Sequence, residues 1–246
     1  MNKIAYVAEL DQDVDDIIAI EYLFDKGVLD YVVLDPFPEE KIGRERMQII
    51  CDMGITVKRK IQPHTDIVFI GGPLTEVARY IQAGNSLSLI VMNGGFIGSN
   101  IVPKEKQLKK FKNKETVRTF NFNKDVYAAD YVLKTSKDRI NKIILVGKNV
   151  CHNKINTGNG LWNEEYYHNL FKKYNTHDYK LQHDMLACHE GLAFLNNTEH
   201  YCKFINVYPY NNGLNDNMTN WGSKLEPTEY RGVLAAVDYI EEINNV

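Results

Sequence analysis

No apolar run in this 246-residue sequence approaches the roughly 20 residues that a membrane-spanning helix requires, so no helical span is expected. The first residues lack the basic flank and the small-residue cleavage pattern of a secretory signal. Cysteine is scarce: Cys51, Cys151, Cys188 and Cys202 show no CxxC pairing, which excludes a disulfide framework and leaves no cysteine zinc motif. A large charge of either sign is also missing. The formal net charge is −3, which argues against nucleic acid or an anionic membrane surface as a partner. The one local basic run, Lys104 to Lys114, reads as a solvated face. There is no internal repeat and no low-complexity linker. These absences predict a cytoplasmic protein with reduced thiols, in which the sequons at Asn196 and Asn217 carry no meaning.

What is present is a chain long enough for one large domain, residues 1–246, with a sizeable core. Apolar strand-like runs at Ile4 to Ala8, Tyr31 to Leu34, Ile67 to Ile70, Leu87 to Met92 and Lys142 to Val146 alternate with helical patterns. Helices are expected over 15–26, 39–53, 73–82, 124–135, 162–175, 184–195 and 227–243. Strands alternating with helices predict an α/β fold with an open, mostly parallel central sheet flanked by helices.

The first strand runs directly into Glu9-Leu10-Asp11-Gln12-Asp13-Val14-Asp15-Asp16, five acids in eight residues, followed by the apolar Ile17-Ile18-Ala19-Ile20. Acids on a strand-to-helix turn lie where open α/β sheets bind ligands, outside the carboxyl ends of the strands. Crowded carboxylates repel one another unless a cation or raised pKa values relieve them, and a hard divalent metal is the natural relief. Three other uses compete. Asp11 and Asp13 have the spacing of the aspartate pair of haloacid-dehalogenase-like phosphohydrolases, but no later Gly-Asp-x-x-x-Asp segment completes that set. An EF-hand loop would need Gly where Asp16 stands and Glu where Tyr22 stands. Helix capping accounts for one or two acids, not five.

Three more segments bear on the choice: Gly71-Gly72-Pro73-Leu74-Thr75-Glu76 after a strand, Met92-Asn93-Gly94-Gly95 followed by Asn100, and His183-Asp184 opening an apolar helix. With Thr119-Phe120-Asn121 and the acidic turn, this ordered set resembles the inosine-uridine-preferring nucleoside hydrolase family. The family's Asp-x-Asp-x-Gly-x-Asp-Asp aligns with residues 9–16 without a gap, with Glu9 in place of the first Asp and Asp13 in place of the Gly.

The resemblance implies a Rossmann-like sheet and Ca²⁺-dependent hydrolysis of the N-glycosidic bond of a ribonucleoside or related N-riboside. Asp11, Asp16, Asp184 and the Gly71 carbonyl would hold Ca²⁺, an oxygen-only set that this ion accepts. Asp11 would deprotonate a metal-bound water, and His183 would protonate the leaving base. Asp15, Asn100 and Asn121 would hold the ribose beside Met92. Trp162 and Tyr166, from a segment with Tyr167, Phe171 and Tyr174, would stack on the base. A homodimer or homotetramer is implied as well. His64, His152 and His189 stand beside no residue that the resemblance implies as a metal ligand and read as structural or exposed. The chain departs from the family pattern at two ribose contacts: Leu34-Asp35-Pro36-Phe37-Pro38 supplies no Asn, and Thr119 replaces a Glu. Sugar recognition is therefore expected to differ, and a catalytically weak or inactive nucleoside- or sugar-binding protein that retains the metal site is the alternative.

Overall fold

Ile4-Ala5-Tyr6-Val7-Ala8 is apolar throughout because both faces of its strand are covered, as in parallel sheets generally. The computed structural model describes residues 2–11, 14–135, 138–156, 165–174 and 181–240. In chain order the first half comprises β1 (Ile4–Ala8), α1 (Asp15–Asp25), β2 (Tyr31–Leu34), α2 (Lys41–Asp52), β3 (Val57–Lys58), β4 (Ile67–Ile70), α3 (Thr75–Gln82) and β5 (Leu87–Asn93). A 3-10 turn at Lys109–Phe111 then precedes β6 (Thr116–Val117), α4 (Phe120–Lys124), α5 (Val126–Thr135), β7 (Ile140–Val146) and α6 (Lys148–Cys151). The remaining elements are α7 (Glu165–Tyr174), α8 (His183–Asn196), β8 (Cys202–Asn211), β9 (Trp221–Lys224) and β10 (Val233–Tyr239).

The strands form one 10-stranded sheet in the order β3-β2-β1-β4-β5-β7-β10-β8-β9-β6. From β3 to β10 every neighbouring pair is parallel, while β8, β9 and β6 add an antiparallel margin. The chain leaves β1 toward β2 and β3, then crosses back to β4 on the other side. This reversal makes the β1/β4 boundary the topological switch point of a Rossmann-like sheet, where a crevice opens beyond the strand ends.

Strand alternation divides the core in two. Tyr6, Ala8, Phe69 and Val91 pack with α1 and α8 on one face, and Ala5, Val7, Val68, Ile70, Ile90 and Met92 pack with α3 and α5 on the other. A side chain at Gly191 of α8 would meet Phe69 at 2.6 Å, so this glycine lets the helix lie close on the sheet.

One helix expectation is corrected. Residues 227–240 form no helix, and the rest of the expected 227–243 span lies outside the described residues. Val233–Tyr239 is strand β10, wedged between parallel β7 and antiparallel β8. Its Val-Leu-Ala-Ala-Val run suits a strand covered on both faces, and a short apolar run has no period that separates the two possibilities. The helix expected over 124–135 is α5, which starts two residues later at Val126; Asp125 separates it from the short, unexpected α4, and its Oδ1 accepts from the Ala128 N–H as an N-cap does. Among the described residues no helix is long and apolar enough to cross a membrane, and all four thiols are free.

Candidate functional site

The carboxyl ends of β1, β4, β5 and β7 open onto one cavity of about 310 Å³, within the range of small-molecule sites. Glu9 follows β1 directly, Gly71 follows β4, Asn93 ends β5, and Lys148, Cys151 and His152 lie at and just beyond α6. Asp15 and Asp16 occupy the first turn of α1, and His183 and Asp184 the first turn of α8, where acids suit the helix dipole. Thr119, Phe120 and Asn121 enter from the start of α4.

The carboxylates are held rather than loose. Tyr6 is wholly buried under the cavity, and its O–H donates to Asp16 Oδ1 at 2.8 Å. Burial, then the charges of Asp16 and Asp184, hold the Tyr6 hydroxyl well above its ordinary pKa, so it stays a neutral donor. The Glu9 N–H reaches Asp16 Oδ2 at 3.4 Å, and Asn93 Nδ2 donates to Asp184 Oδ1 at 3.0 Å. Asn121 laces two strand ends together, its Nδ2 donating to the carbonyls of Gly71 at 2.9 Å and Asn93 at 2.8 Å. Glu9, 4% exposed, is ion-paired with Lys124. His183 Nδ1 lies 4.0 Å from Asp15 Oδ2, and its ring sits 5.0 Å from that of His152.

Titration separates the remaining groups. His152 is pushed down to about 3 by burial and by the charges of His183, Lys110 and Lys148, so it is neutral at pH 7. Burial lowers Lys148, and the charges of Lys110 and Arg118 lower it further. The Cys151 thiol is raised by burial and by Asp184, which rules it out as a thiolate nucleophile near neutrality.

Of the residues singled out from sequence, Asp15, Asp16, Gly71, Asn121, His183 and Asp184 line this one cavity. Asp11, Met92 and Asn100 do not. Arg46 of α2 donates to the Leu10 carbonyl at 2.6 Å and draws the chain toward α2, so the Asp11 carboxylate lies where a Cβ on Gly43 would overlap it. Asp11 Oδ1 is buried there without a hydrogen-bond partner. Met92 is wholly buried in the core on the α3 and α5 face, and Asn100 donates to the Ser223 carbonyl at 2.8 Å. Trp162 and Asp13 lie outside the described residues, as does the side chain of Tyr166.

Sequence reasoning gave no role to Asn93, Lys148 or His152, the last of which it read as structural or exposed, and it named Glu9 in the acidic turn and Thr119 at a lost ribose contact without assigning either to the site. Two had a further signal: Lys148 follows the end of a parallel strand and Asn93 is the last residue of one, both at the binding edge of the sheet.

The expected calcium ligands do not close into a site. Asp16, Asp184 and the Gly71 carbonyl face one cavity but are engaged by Tyr6, Asn93 and Asn121, and Asp11 faces α2. Among the described residues no group of three or more carboxylate, imidazole or thiol side chains is placed to hold a metal ion. No family model matches the sequence and no curated protein is similar to it, so a functional reading rests on these residues and their geometry.

Proposed function

We propose that this cavity takes a ribonucleoside or related N-riboside and hydrolyses its N-glycosidic bond. The observation that carries the reading is the meeting of Asp15, Asp16 and Asp184 with His183 in one cavity at the switch point of the sheet. Breaking a C–N bond at an anomeric carbon leaves positive charge on the sugar, and fixed carboxylates beneath it stabilise that charge as it develops. The departing base carries away the bonding pair and needs a proton. His183 is the imidazole placed to give it, with Asp15 beside it to hold the ring. Water supplies the hydroxyl that ends on the anomeric carbon and yields its proton to a carboxylate.

Asp11 is the weak point. It activates water only if the turn that carries it moves away from α2. The same observation favours the second reading, a nucleoside- or sugar-binding protein without turnover. No observation favours a phosphohydrolase built on Asp11 and Asp13. A cytoplasmic location and a homo-oligomeric state remain expectations of the proposal.

Base release from a panel of purine and pyrimidine ribonucleosides, with Ca²⁺ and with chelator, separates the readings. Release that Asp11→Ala and His183→Ala abolish supports the hydrolase. Ligand-dependent thermal stabilisation with no release from any substrate moves the binding protein to the front.

A further inference from the structure

One wall of the cavity is unlike the rest. The carboxylates enter from β1, α1 and α8, whereas Lys148 and Thr119 enter from α6 and the start of α4, with Arg118 next in the chain. Thr119 is 1% exposed and its hydroxyl has no hydrogen-bond partner, a costly state for a buried polar group. Among the described residues no carboxylate pairs with Lys148, Lys110 or Arg118. Lys110 is exposed outside the cavity lining: its ammonium lies 5.5 Å from the centre of the Phe111 ring, which meets the cavity-lining His152 edge-on at 5.4 Å. The charges of Lys110 and Arg118 are felt at Lys148.

A half-buried ammonium that no carboxylate pairs with, lining the same cavity as a buried hydroxyl without a partner, opposes folding rather than helps it. Sites that sacrifice stability in this way are characteristically functional. A phosphomonoester answers each unmet need at once. It brings up to two negative charges and three acceptor oxygens, and it would take hydrogen bonds from an ammonium and a hydroxyl.

We infer that Thr119 and Lys148 form a subsite for a phosphomonoester, with Lys110 and Arg118 adding positive charge from outside the cavity, so that the N-riboside bound here is a nucleoside monophosphate. The ribosyl part of this inference rests on the proposed function, whereas the anion subsite stands on its own residues. Titration calorimetry with ribose, ribose 5-phosphate and inorganic phosphate tests it without requiring turnover. The expected result is at least tenfold tighter binding of ribose 5-phosphate than of ribose, with inorganic phosphate competing. Lys148→Ala should abolish the preference, and Arg118→Ser, at an exposed position, should weaken it several-fold. A thermal midpoint no lower than that of the parent protein verifies that Lys148→Ala is folded. Equal binding of ribose and ribose 5-phosphate, or a preference that survives Lys148→Ala, overturns the subsite. Inorganic phosphate binding with Lys148 dependence but no gain from the ribosyl group supports the anion site and rejects the nucleotide. If the preference is found while neither inosine nor inosine 5′-monophosphate releases base, the hydrolase fails and the subsite stands. Base release from nucleosides alone, with no phosphate preference, upholds the hydrolase and rejects the subsite.

Discussion

Gly71 and Gly72 are neighbours in one turn, yet alanine should have opposite consequences at the two positions. A Cβ on Gly71 would overlap both the Asp16 carboxylate and the Tyr6 hydroxyl, groups that are 5% and 0% exposed and cannot retreat into solvent. Separating them loses a hydrogen bond to a charged group, about 1.5–3 kcal/mol. Forcing an extra methyl into a packed site costs about 1–3 kcal/mol more. The expected destabilisation of Gly71→Ala is therefore about 2.5–6 kcal/mol, a large part of the ~5–15 kcal/mol available to a typical domain. A Cβ on Gly72 would stand 3.4 Å from the Glu9 Cβ, an ordinary contact. Its φ is outside the left-handed region, so Gly72→Ala should be neutral or stabilising by up to ~1 kcal/mol through the unfolded chain. Urea unfolding followed by far-UV circular dichroism at pH 7 measures both, and ribose 5-phosphate titration reports the site. Gly71→Ala within about 1 kcal/mol of Gly72→Ala would refute the packing described around Asp16.

Three further outcomes are expected. Because His152 titrates at about 3 when folded and at 6.5 by default, the unfolded chain takes up its proton first. Stability fully present above pH 6.5 should fall as pH drops toward 3, and His152→Gln should flatten that slope in urea melts between pH 6.5 and 5. Glu190 is wholly buried and accepts from the N–H groups of Tyr201 at 2.9 Å and Cys202 at 3.3 Å and contacts the rings of His189 and His200. Burial alone would raise this carboxyl, but those partners more than offset it and hold it below 4.5, so its contribution is present above pH 4.5 and lost as pH falls through the folded value. Glu190→Gln puts an amide against donors and should cost about 2 kcal/mol or more at pH 7, with the gap to the parent protein closing in acid; an unchanged gap at low pH refutes the charge argument. Because the expected calcium ligands do not close into a site, excess Ca²⁺ should leave Tm unchanged. A rise of roughly 5–10 °C, the effect of a hundredfold excess over Kd, that is lost in Asp16→Asn and Asp11→Asn would show instead that these residues gather around the ion.

The parallel half of the fold was legible because its strands are buried on both faces. Ile4–Ala8, Tyr31–Leu34 and Ile67–Ile70 are unbroken apolar runs, and the structure ends them at the expected residues. The antiparallel margin was not. β8 mixes buried, half-buried and exposed positions irregularly and contains Pro209, so neither a continuous run nor clean alternation marks it. The division between α4 and α5 was hidden for a different reason: Asp125 ends one helix and caps the next with its side chain, with no Gly or Pro to mark the break.

The place of the cavity at the strand ends was legible in the sequence, and which residues face into it was not; both follow from the backbone. Sheet topology brings anything after β1, β4, β5 and β7 to one edge, so residues far apart in sequence meet whether or not they match a motif. Which of them face inward is decided over shorter distances. Regular strand spacing would put Glu9 and Asp11 on the same side. The strand ends at Ala8, however, and the bond from Arg46 to the Leu10 carbonyl turns the chain toward α2, leaving Glu9 in the cavity and Asp11 outside it. A pattern aligned without gaps cannot register a partner 36 residues away. Lys110, within Lys104 to Lys114, is exposed as the composition of a solvated face predicts, and the packing of Phe111 on His152 is what lets its charge be felt at the cavity wall.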